Sequence, residues 1–499
     1  MYLSVENNRT EIYGALPEQL DILDRHLRYP TPMAAPIEKG IDLPMVDLGG
    51  WDGWARCLHR PRTRPPWFPT GLLGYVRHYC QCYGWPINVQ DGRKRPELDI
   101  PEVTACIGLR PYQRQAMERA LAMGRGVIDS PPRSGKTRLA AAIQRELNTR
   151  TLWIAPTDRI VQQTVGVLEG FFGRGYVTHQ VGSSGLAAAG KMKVVCCTTA
   201  TAIRLSPEFF QSRECLIVDE FHHGASSSYR TIFGLSEHIY FRFGMTGTFF
   251  RSSGDDMAMH ALLSETIFKI SSEELRKLGH LVPANVVFLP VPGPHLTGLS
   301  SNTFQSGHGK RGIHEHEGRN QLVAWVATYL ARMGRRVLVL VGTKKQGYAL
   351  RGLLQAYLGQ SSDPGAYQPV EFISTDMDRT RQGEVLESFE GSGTIQVLIG
   401  TTILGEGVDI PSADALVYAR GERAEVLLTQ AMYRVVTAAG GKTGAVVVDF
   451  ADRHHRKLAE HAEERLRVYF SEPLFSVQVL SDIRFFPGWL RNLVPKTVG

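Results

Sequence analysis

The run Ser130-Pro-Pro-Arg-Ser-Gly-Lys-Thr137 constrains this chain more than any other stretch. It follows the apolar segment Gly126-Val-Ile-Asp129 and precedes Arg138-Leu-Ala-Ala-Ala-Ile-Gln144, a series of good helix formers. The first amides of a helix have no intrahelical acceptor, so a tight turn between buried strand and helix makes an anion site. Gly135 lets the backbone approach closely, while Ser130, Pro131, Pro132, Arg133 and Ser134 form the rest of the loop. In such a loop Lys136 reaches the β- and γ-phosphates and Thr137 holds Mg²⁺. Downstream, Leu216-Ile-Val-Asp-Glu-Phe-His222 is an apolar strand ending in adjacent carboxylates. Asp219 is placed to hold the hydrated metal and Glu220 to activate an attacking water. His222 is placed to sense the γ-phosphate or to link to the next motif. Together the two segments predict nucleoside-triphosphate hydrolysis.

At 499 residues the chain is too long for one core. An apolar fraction of 43% and a charged fraction of 21% suit a soluble globular protein. No apolar run is long enough to span a bilayer, and Met1-Tyr-Leu-Ser-Val-Glu6 lacks the pattern of a signal peptide. A soluble protein of the cytoplasm or another intracellular compartment, with no membrane partner, is therefore expected. The formal net charge of +7 favours a polyanionic partner. Seven scattered cysteines argue against a disulfide framework. Cys57, His59, His78, Cys80 and Cys82 cluster near the N-terminus. The alternations Cys57-x-His59 and Cys80-x-Cys82 could present ligands on one face of each strand. Zinc sites more often separate their cysteines by two residues, so ordinary core or surface positions are expected.

Residues 1–105 carry no nucleotide signal but are rich in Pro, Trp and Tyr, with basic runs at Arg60-Pro-Arg-Thr-Arg64 and Arg93-Lys-Arg95. They read as a small N-terminal α+β module. From 106 to 289, short buried strands alternate with helical stretches, which predicts a parallel sheet in an α/β domain. Residues 290–318 are rich in Pro, Gly and Ser and read as a linker or insertion. Alternation resumes over 319–470, giving a second α/β domain, and 471–499 form a C-terminal tail. Ahead of the phosphate loop, Leu109-Arg-Pro-Tyr-Gln113 opens a helix. The Gln113 amide has both a donor and an acceptor for an adenine edge, and Arg110 or Tyr112 could stack on the base. The alternative is that Pro-Tyr-Gln simply caps the helix. Gly244-Met-Thr-Gly-Thr248 offers two hydroxyls at the end of a strand.

In this order the motifs resemble those of the DExH-type helicases of superfamily 2, over residues from about 106 to 470. Trp153-Ile-Ala-Pro-Thr157 with Gln163 resembles motif Ia, Cys197-Thr-Thr-Ala-Thr201 motif Ib, and Thr246-Gly-Thr248 motif III. Val337-Leu-Val-Leu-Val341 resembles motif IV, and Ile399-Gly-Thr-Thr-Ile-Leu-Gly-Glu-Gly-Val-Asp-Ile-Pro411 motif V. Gln430-Ala-Met-Tyr-Arg434 occupies the place of motif VI. The resemblance implies two tandem RecA-like parallel-sheet domains with ATP between them. Gly405, Gly407 and Asp409 would lie at the facing edge. Gln430 and Arg434 would belong to the catalytic set, with Arg434 as an arginine finger worth roughly 10³–10⁵ in rate elsewhere. Pro156, Thr157, Thr198, Thr248, Thr343, Thr401 and Thr402 would meet the nucleic-acid backbone, which gives a salt-dependent grip without sequence preference. Motif VI departs from the family pattern Gln-Arg-x-Gly-Arg-x-x-Arg. Tyr433 stands where that pattern has Gly, and Thr437 where it has its last Arg.

The N-terminal module narrows the branch. Trp51-Asp-Gly-Trp54, Trp67-Phe-Pro-Thr-Gly-Leu-Leu73 and Val89-Gln-Asp-Gly-Arg93 resemble the small domain that precedes the motor in the UvsW- and XPB-related DNA helicases. The Arg-Glu-Asp of XPB after motif III is missing, since Ser252-Ser253 follows Arg251, which favours the UvsW-like branch. Arg60, Arg62, Arg64 and Arg77, interleaved with aromatic residues, suit phosphate contact plus stacking. The competing role for Trp51, Trp54, Trp67 and Tyr75 is the core of a small domain. The resemblance implies an ATP-dependent DNA helicase or translocase for duplex or branched DNA, in recombination, repair or replication. The alternatives are an RNA helicase and a weakly hydrolysing, nucleotide-gated DNA-binding protein.

Overall fold

The apolar runs between helix formers become two sheets in which every strand pairing is parallel. A computed structural model of the chain describes residues 1–30, 54–98, 107–179, 192–221, 226–247, 256–291, 293, 296, 306–359, 369–391, 394–401, 404, 410–422 and 425–493. The chain divides into two compact units, Met1–Ile270 and Ser271–Gly499.

The first unit opens with the hairpin β1 (Tyr2–Val5) and β2 (Arg9–Tyr13), then α1 (Pro17–His26) and the pair β3 (Arg28–Pro30) and β4 (Trp54–Arg56). Next come β5 (Trp67–Pro69), α2 (Leu73–Cys82) and β6 (Asn88–Asp91). These form a sheet in the order β5-β2-β1-β6, with β6 parallel to β1 and the other neighbours antiparallel. Alternation sends Leu3 and Ile12 inward, where they meet Leu23, Phe68, Leu72, Val76 and Cys80. Cys80 and Cys82 lie on the helix α2 and not on a strand, which corrects the expectation of a shared face. Two residues apart on a helix is about 200° of rotation, so Cys80 is buried and Cys82 exposed. Cys57 is buried in the same core, and the His59 ring stacks on Trp67 at 3.9 Å. Among the described residues no group of three or more His, Cys, Asp or Glu side chains is disposed to hold a metal ion. Trp54 is partly exposed beneath the Arg28 guanidinium at 4.5 Å. Trp51 lies outside the described residues.

The first large sheet contains β7 (Arg125–Asp129), β8 (Thr151–Ala155), β9 (Val177–His179), β10 (Val194–Thr198), β11 (Cys215–Val218), β12 (Phe241–Thr246) and β13 (Thr266–Lys269). Their order is β13-β7-β12-β11-β8-β10-β9. Helices α3 (Pro111–Met123), α4 (Lys136–Leu147), α5 (Asp158–Phe172) and the single turn α6 (Thr199–Ala202) belong to the same unit. The N-terminal module is fixed to this sheet by its Asn7-Asn8 turn. Arg125 donates to the Asn7 carbonyl at 2.7 Å and to Asn7 Oδ1 at 2.6 Å. Arg242 reaches Asn8 Oδ1 at 2.5 Å while its other donors hold the carbonyls of Ile239 and Ser236 at 2.8 and 2.7 Å. Both guanidinium groups are buried, and burial draws the Arg242 pKa down to about 9. Carbonyl and amide oxygens of both partners offset part of their cost of desolvation. Gly71 completes the contact, because a Cβ there would sit 2.0 Å from the His260 carbonyl.

The second unit contains α7 (Ser272–Lys277), β14 (Ala284–Pro290), α8 (Glu317–Arg332), β15 (Val337–Leu340), α9 (Lys344–Leu358), β16 (Val370–Ile373) and β17 (Val397–Gly400). It continues with β18 (Ala415–Tyr418), α10 (Glu425–Val435), β19 (Ala445–Ala451), α11 (Arg456–Ser471), β20 (Phe475–Val479) and α12 (Phe486–Leu493). The sheet order is β16-β17-β15-β18-β19-β14-β20. Two boundaries differ from expectation. β14, expected at the end of the first domain, pairs with β19 and β20 and so belongs to the second sheet. Part of the expected tail supplies the edge strand β20, and Phe486 and Leu490 of α12 enter the core. Within the expected linker, the Gly312 carbonyl is bonded to His454 Nε2 at 2.8 Å.

A buried ion network ties this unit together. Arg319 of α8 pairs with Asp452 at 2.7 Å, and Arg465 of α11 pairs with Asp449 at 3.0 Å. Each arginine also donates at 2.7 Å to a carbonyl just beyond β18, Arg319 to Ala419 and Arg465 to Gly421. Removing one partner of such a network strands the rest without water. The docking of the module gives a prediction of the same kind. Asn8→Leu leaves an Arg242 donor buried and unbonded, so it should lower stability by about 1–3 kcal/mol. Denaturant unfolding measures this, and a midpoint equal to wild type would contradict the docking described.

Candidate nucleotide and nucleic-acid site

The phosphate loop leaves β7 and turns into α4 through two residues with positive φ, Arg133 at 70° and Gly135 at 79°. Gly135 is the N-cap of α4, and no side chain caps this helix start. The first-turn amides thus lack the side-chain acceptor that N-caps usually supply. The loop is braced from several sides. Ser134 Oγ donates to Ser130 Oγ at 2.9 Å, and the Ser130 amide donates to the Thr246 carbonyl at 2.9 Å. Lys136 Nζ donates to the carbonyls of Ser130 at 3.1 Å and Pro131 at 3.4 Å. Gly247 lies alongside, since a Cβ there would come within 3.0 Å of the Pro132 ring and 3.2 Å of Lys136 Nζ. Thr137 follows Lys136 in the first turn of α4.

Gln113 is buried, and both ends of its amide are engaged. Its Oε1 accepts from the Arg110 amide at 2.9 Å, a capping contact, and its Nε2 donates to the Ser134 carbonyl at 2.8 Å. Tyr112 donates to the same carbonyl at 2.6 Å, and Arg110 Nη1 donates to the Tyr112 hydroxyl at 3.0 Å. Gln113 thus makes the helix-capping contact named as the alternative, and Tyr112 and Gln113 also brace the loop. Asp129 and Lys269, not singled out from sequence, form an ion pair at 3.3 Å at the foot of the loop. Burial pushes the Asp129 carboxyl above its ordinary range. A short apolar strand ending in Asp gives no sign of a partner 140 residues on.

Asp219 follows β11 directly, and its amide donates to the Ile154 carbonyl at 2.8 Å. The Glu220 amide donates to Asp219 Oδ1 at 2.9 Å, which orients that carboxylate. Glu220 itself has φ 48°, a conformation that costs a non-glycine residue on the order of 1–3 kcal/mol and clusters at working sites. His222 and Thr248 lie outside the described residues.

Sheet order separates two sets of residues along one edge. The loop, Thr246 and Asp219 follow the adjacent strands β7, β12 and β11. Pro156 and Thr157 follow β8, and Thr198 ends β10, the next two strands across. Thr157 and Thr198 are N-caps, accepting from Ile160 N at 3.4 Å and Thr201 N at 3.2 Å. In the second unit Thr343 is likewise the N-cap of α9, accepting from Gln346 N at 3.2 Å. Thr401 follows β17, the neighbour of β15, and is buried. Gln430 and Arg434 lie four residues apart on α10 and so share a face. Arg434 is buried, and Gln430 Oε1 has no hydrogen-bond partner among the described residues. Such an orphaned buried acceptor invites a ligand or water. Thr402, Gly405, Gly407 and Asp409 lie outside the described residues. A cavity of about 570 Å³, lined by Arg335, Glu390, Asp414 and Lys442 among others, contains none of these residues.

Two parallel-sheet units, the first carrying a glycine turn into a helix and a following carboxylate pair, have the architecture of a helicase-class motor. Residues 106–251 match the family described as Type III restriction enzyme, res subunit, and residues 320–438 match the Helicase conserved C-terminal domain. The chain is 22% identical over 467 residues to the ATP-dependent DNA helicase uvsW of Enterobacteria phage T4, covering 86% of this chain and 90% of the relative. It is 24% identical over 371 residues to the DNA 3'-5' translocase XPB2 of Sulfurisphaera tokodaii, covering 68% and 81%. The fold is similar to that of the ATP-dependent Type ISP restriction-modification enzyme LlaBIII bound to DNA. The TM-score is 0.56 at 16% identity, covering 77% of this chain and 32% of that one. The chain is a superfamily 2 helicase related to UvsW and XPB, an enzyme that uses ATP.

The loop geometry makes a direct prediction. A Cβ at residue 135 would lie 2.5 Å from Gln113 Nε2 on a backbone with φ 79°. Gly135→Ala should weaken nucleotide binding at least about tenfold, or roughly 1.4 kcal/mol. Titration with a fluorescent ATP analogue measures it, and wild-type affinity would show that this turn is not the phosphate site.

Proposed function

We propose that this chain is an ATP-dependent DNA helicase or translocase acting on duplex or branched DNA. The observation that carries the proposal is the division of one sheet edge between the phosphate loop with Asp219 and the threonine N-caps Thr157 and Thr198. Strand ends of a parallel sheet are where ligands bind in α/β folds. The uncapped start of α4 and the turn at Gly135 fit a polyphosphate. Thr137 and Asp219 are the residues that would hold Mg²⁺, a hydroxyl and a carboxylate being the oxygen donors this ion takes. When bound, the ion would neutralise charge that develops on the phosphates.

Lys136 supplies a fixed positive charge at the loop, and Ser130, Pro131, Pro132, Arg133 and Ser134 shape its wall. Glu220 accepts the proton of the attacking water. Arg434 adds a second positive charge, with Gln430, while His222, Gly405, Gly407 and Asp409 belong to the same proposed nucleotide set. Arg110, Tyr112 and Gln113 stay in the proposal as nucleotide-side residues acting through the loop that they brace. Pro156, Thr157, Thr198, Thr248, Thr343, Thr401 and Thr402 form the proposed contact line to the nucleic-acid backbone. The similarity to uvsW, a DNA helicase, and to XPB2, a DNA translocase, favours DNA over RNA. The altered motif VI is what favours the second reading, a nucleotide-gated DNA binder with little turnover.

Hydrolysis measured with single-stranded, duplex, forked and four-way DNA and with matched RNA separates these readings. Stimulation by duplex or branched DNA is expected, and Lys136→Ala or Glu220→Gln should remove about two orders of magnitude or more in kcat while unfolding as wild type does. Equal stimulation by RNA, turnover indifferent to nucleic acid, or unchanged rates in both variants would overturn the proposal.

A further inference from the structure

Tyr433 and Thr437, two of the three departures from the motif VI pattern (Ala431, in the place of an Arg, is the third), both make defined contacts. Tyr433 is buried and donates its hydroxyl to Glu472 Oε2 at 2.9 Å. The other oxygen of Glu472 accepts from Ser272 Oγ and from the Leu474 amide at 3.3 Å. Thr437 donates its hydroxyl back to the Tyr433 carbonyl at 2.7 Å, closing the last turn after α10. Its backbone then forms an antiparallel bridge with Leu281. On either side, Val282 N donates to the Val436 carbonyl at 2.8 Å and Ala438 N to the His280 carbonyl at 3.1 Å.

Residues 271–282 are the stretch of chain that leads from β13 of the first sheet to β14 of the second. This stretch is fastened to motif VI at both ends, through Ser272, Glu472 and Tyr433 at one end and through the 280–282 ladder at the other. Arg434 lies in α10 between Tyr433 and the ladder. A glycine at 433 would leave the Glu472 oxygen without its hydroxyl partner, empty a ring-sized space and loosen the helix.

We propose that Tyr433, Thr437 and Glu472 are positioning residues for ATP hydrolysis. They make the motif VI helix and the inter-domain connection one mechanical piece, so that Arg434 follows the path of the connection. These two departures from the family pattern are then a coupling device in place of a decayed active site. This inference rests on the ATPase reading above.

The test restores the family residues at these two positions with the double variant Y433G/T437R, beside Tyr433→Phe and Glu472→Gln. kcat and KM for ATP are measured at saturating duplex DNA and normalised to active sites titrated by tight-binding nucleotide, with thermal unfolding in parallel. The double variant should lose about tenfold or more in kcat with KM for ATP within about twofold. Tyr433→Phe and Glu472→Gln should each lose about threefold, and combining them should lose no more than either alone, as expected for one shared contact. A purely structural role would lower the unfolding midpoint and leave kcat per active site unchanged, which would overturn the proposal. A double variant as fast as wild type or faster would overturn it too and would mean that the departures are simple losses. Absence of turnover in the wild type would overturn the functional reading and this inference with it; wild-type turnover with a fast double variant overturns this inference alone.

Discussion

A parallel sheet buried on both faces can place chemistry only where its strands end, and that constraint organises each unit of this protein. Parallel neighbours need a crossover after every strand, so every strand end of one polarity falls on the same edge. In the first unit that edge receives the phosphate loop, Thr246, Asp219, Thr157 and Thr198 from five adjacent strands. Short main-chain bonds then turn proximity into fixed geometry. The Ser130 amide on the Thr246 carbonyl locks the loop to β12, and the Asp219 amide on the Ile154 carbonyl locks the carboxylate to β8. The proposed nucleotide-side and backbone-side residues of the first unit are thus parts of one edge, which is what a motor needs to convert occupancy at one end into grip at the other.

Buried arginines perform the joining elsewhere, and in each case they hold backbone carbonyls. Arg125 and Arg242 seize the Asn7-Asn8 turn and attach the N-terminal module to the base of the first sheet. Arg319 and Arg465 hold the Ala419 and Gly421 carbonyls while paired with Asp452 and Asp449. Planar guanidinium groups with five donors suit this use better than lysine, because they can satisfy a carboxylate and a carbonyl together. The overall positive charge of the chain is therefore only partly available to an anionic partner.

The two sheets were legible because their strands are uninterrupted apolar runs such as Cys215–Val218 and Val337–Leu340, and the turn from β7 into α4 because a buried strand, a glycine and a run of helix formers follow one another there. The misplaced elements share a cause. β14 has the same apolar character as its neighbours, and nothing local says which sheet it joins. β20, Phe475–Val479, alternates with polar residues because it lies at an edge, so it lacked the continuous signal. Cys80 and Cys82 fitted strand spacing equally well until a helix was seen to carry them. The contact of the Gln113 amide with the Ser134 carbonyl, across 21 residues, had no local sign either. The contacts of Tyr433 with Glu472 and of Thr437 with Leu281 were not legible because those partners lie far away in sequence.

Movement on DNA driven by ATP is the central claim, and displacement of a third strand from a DNA triplex reports it most directly. The account predicts release of the third strand that requires ATP, that a non-hydrolysable analogue does not support, and that slows as the duplex track lengthens. Steady ATP hydrolysis on the same duplex with no release of the third strand would contradict it.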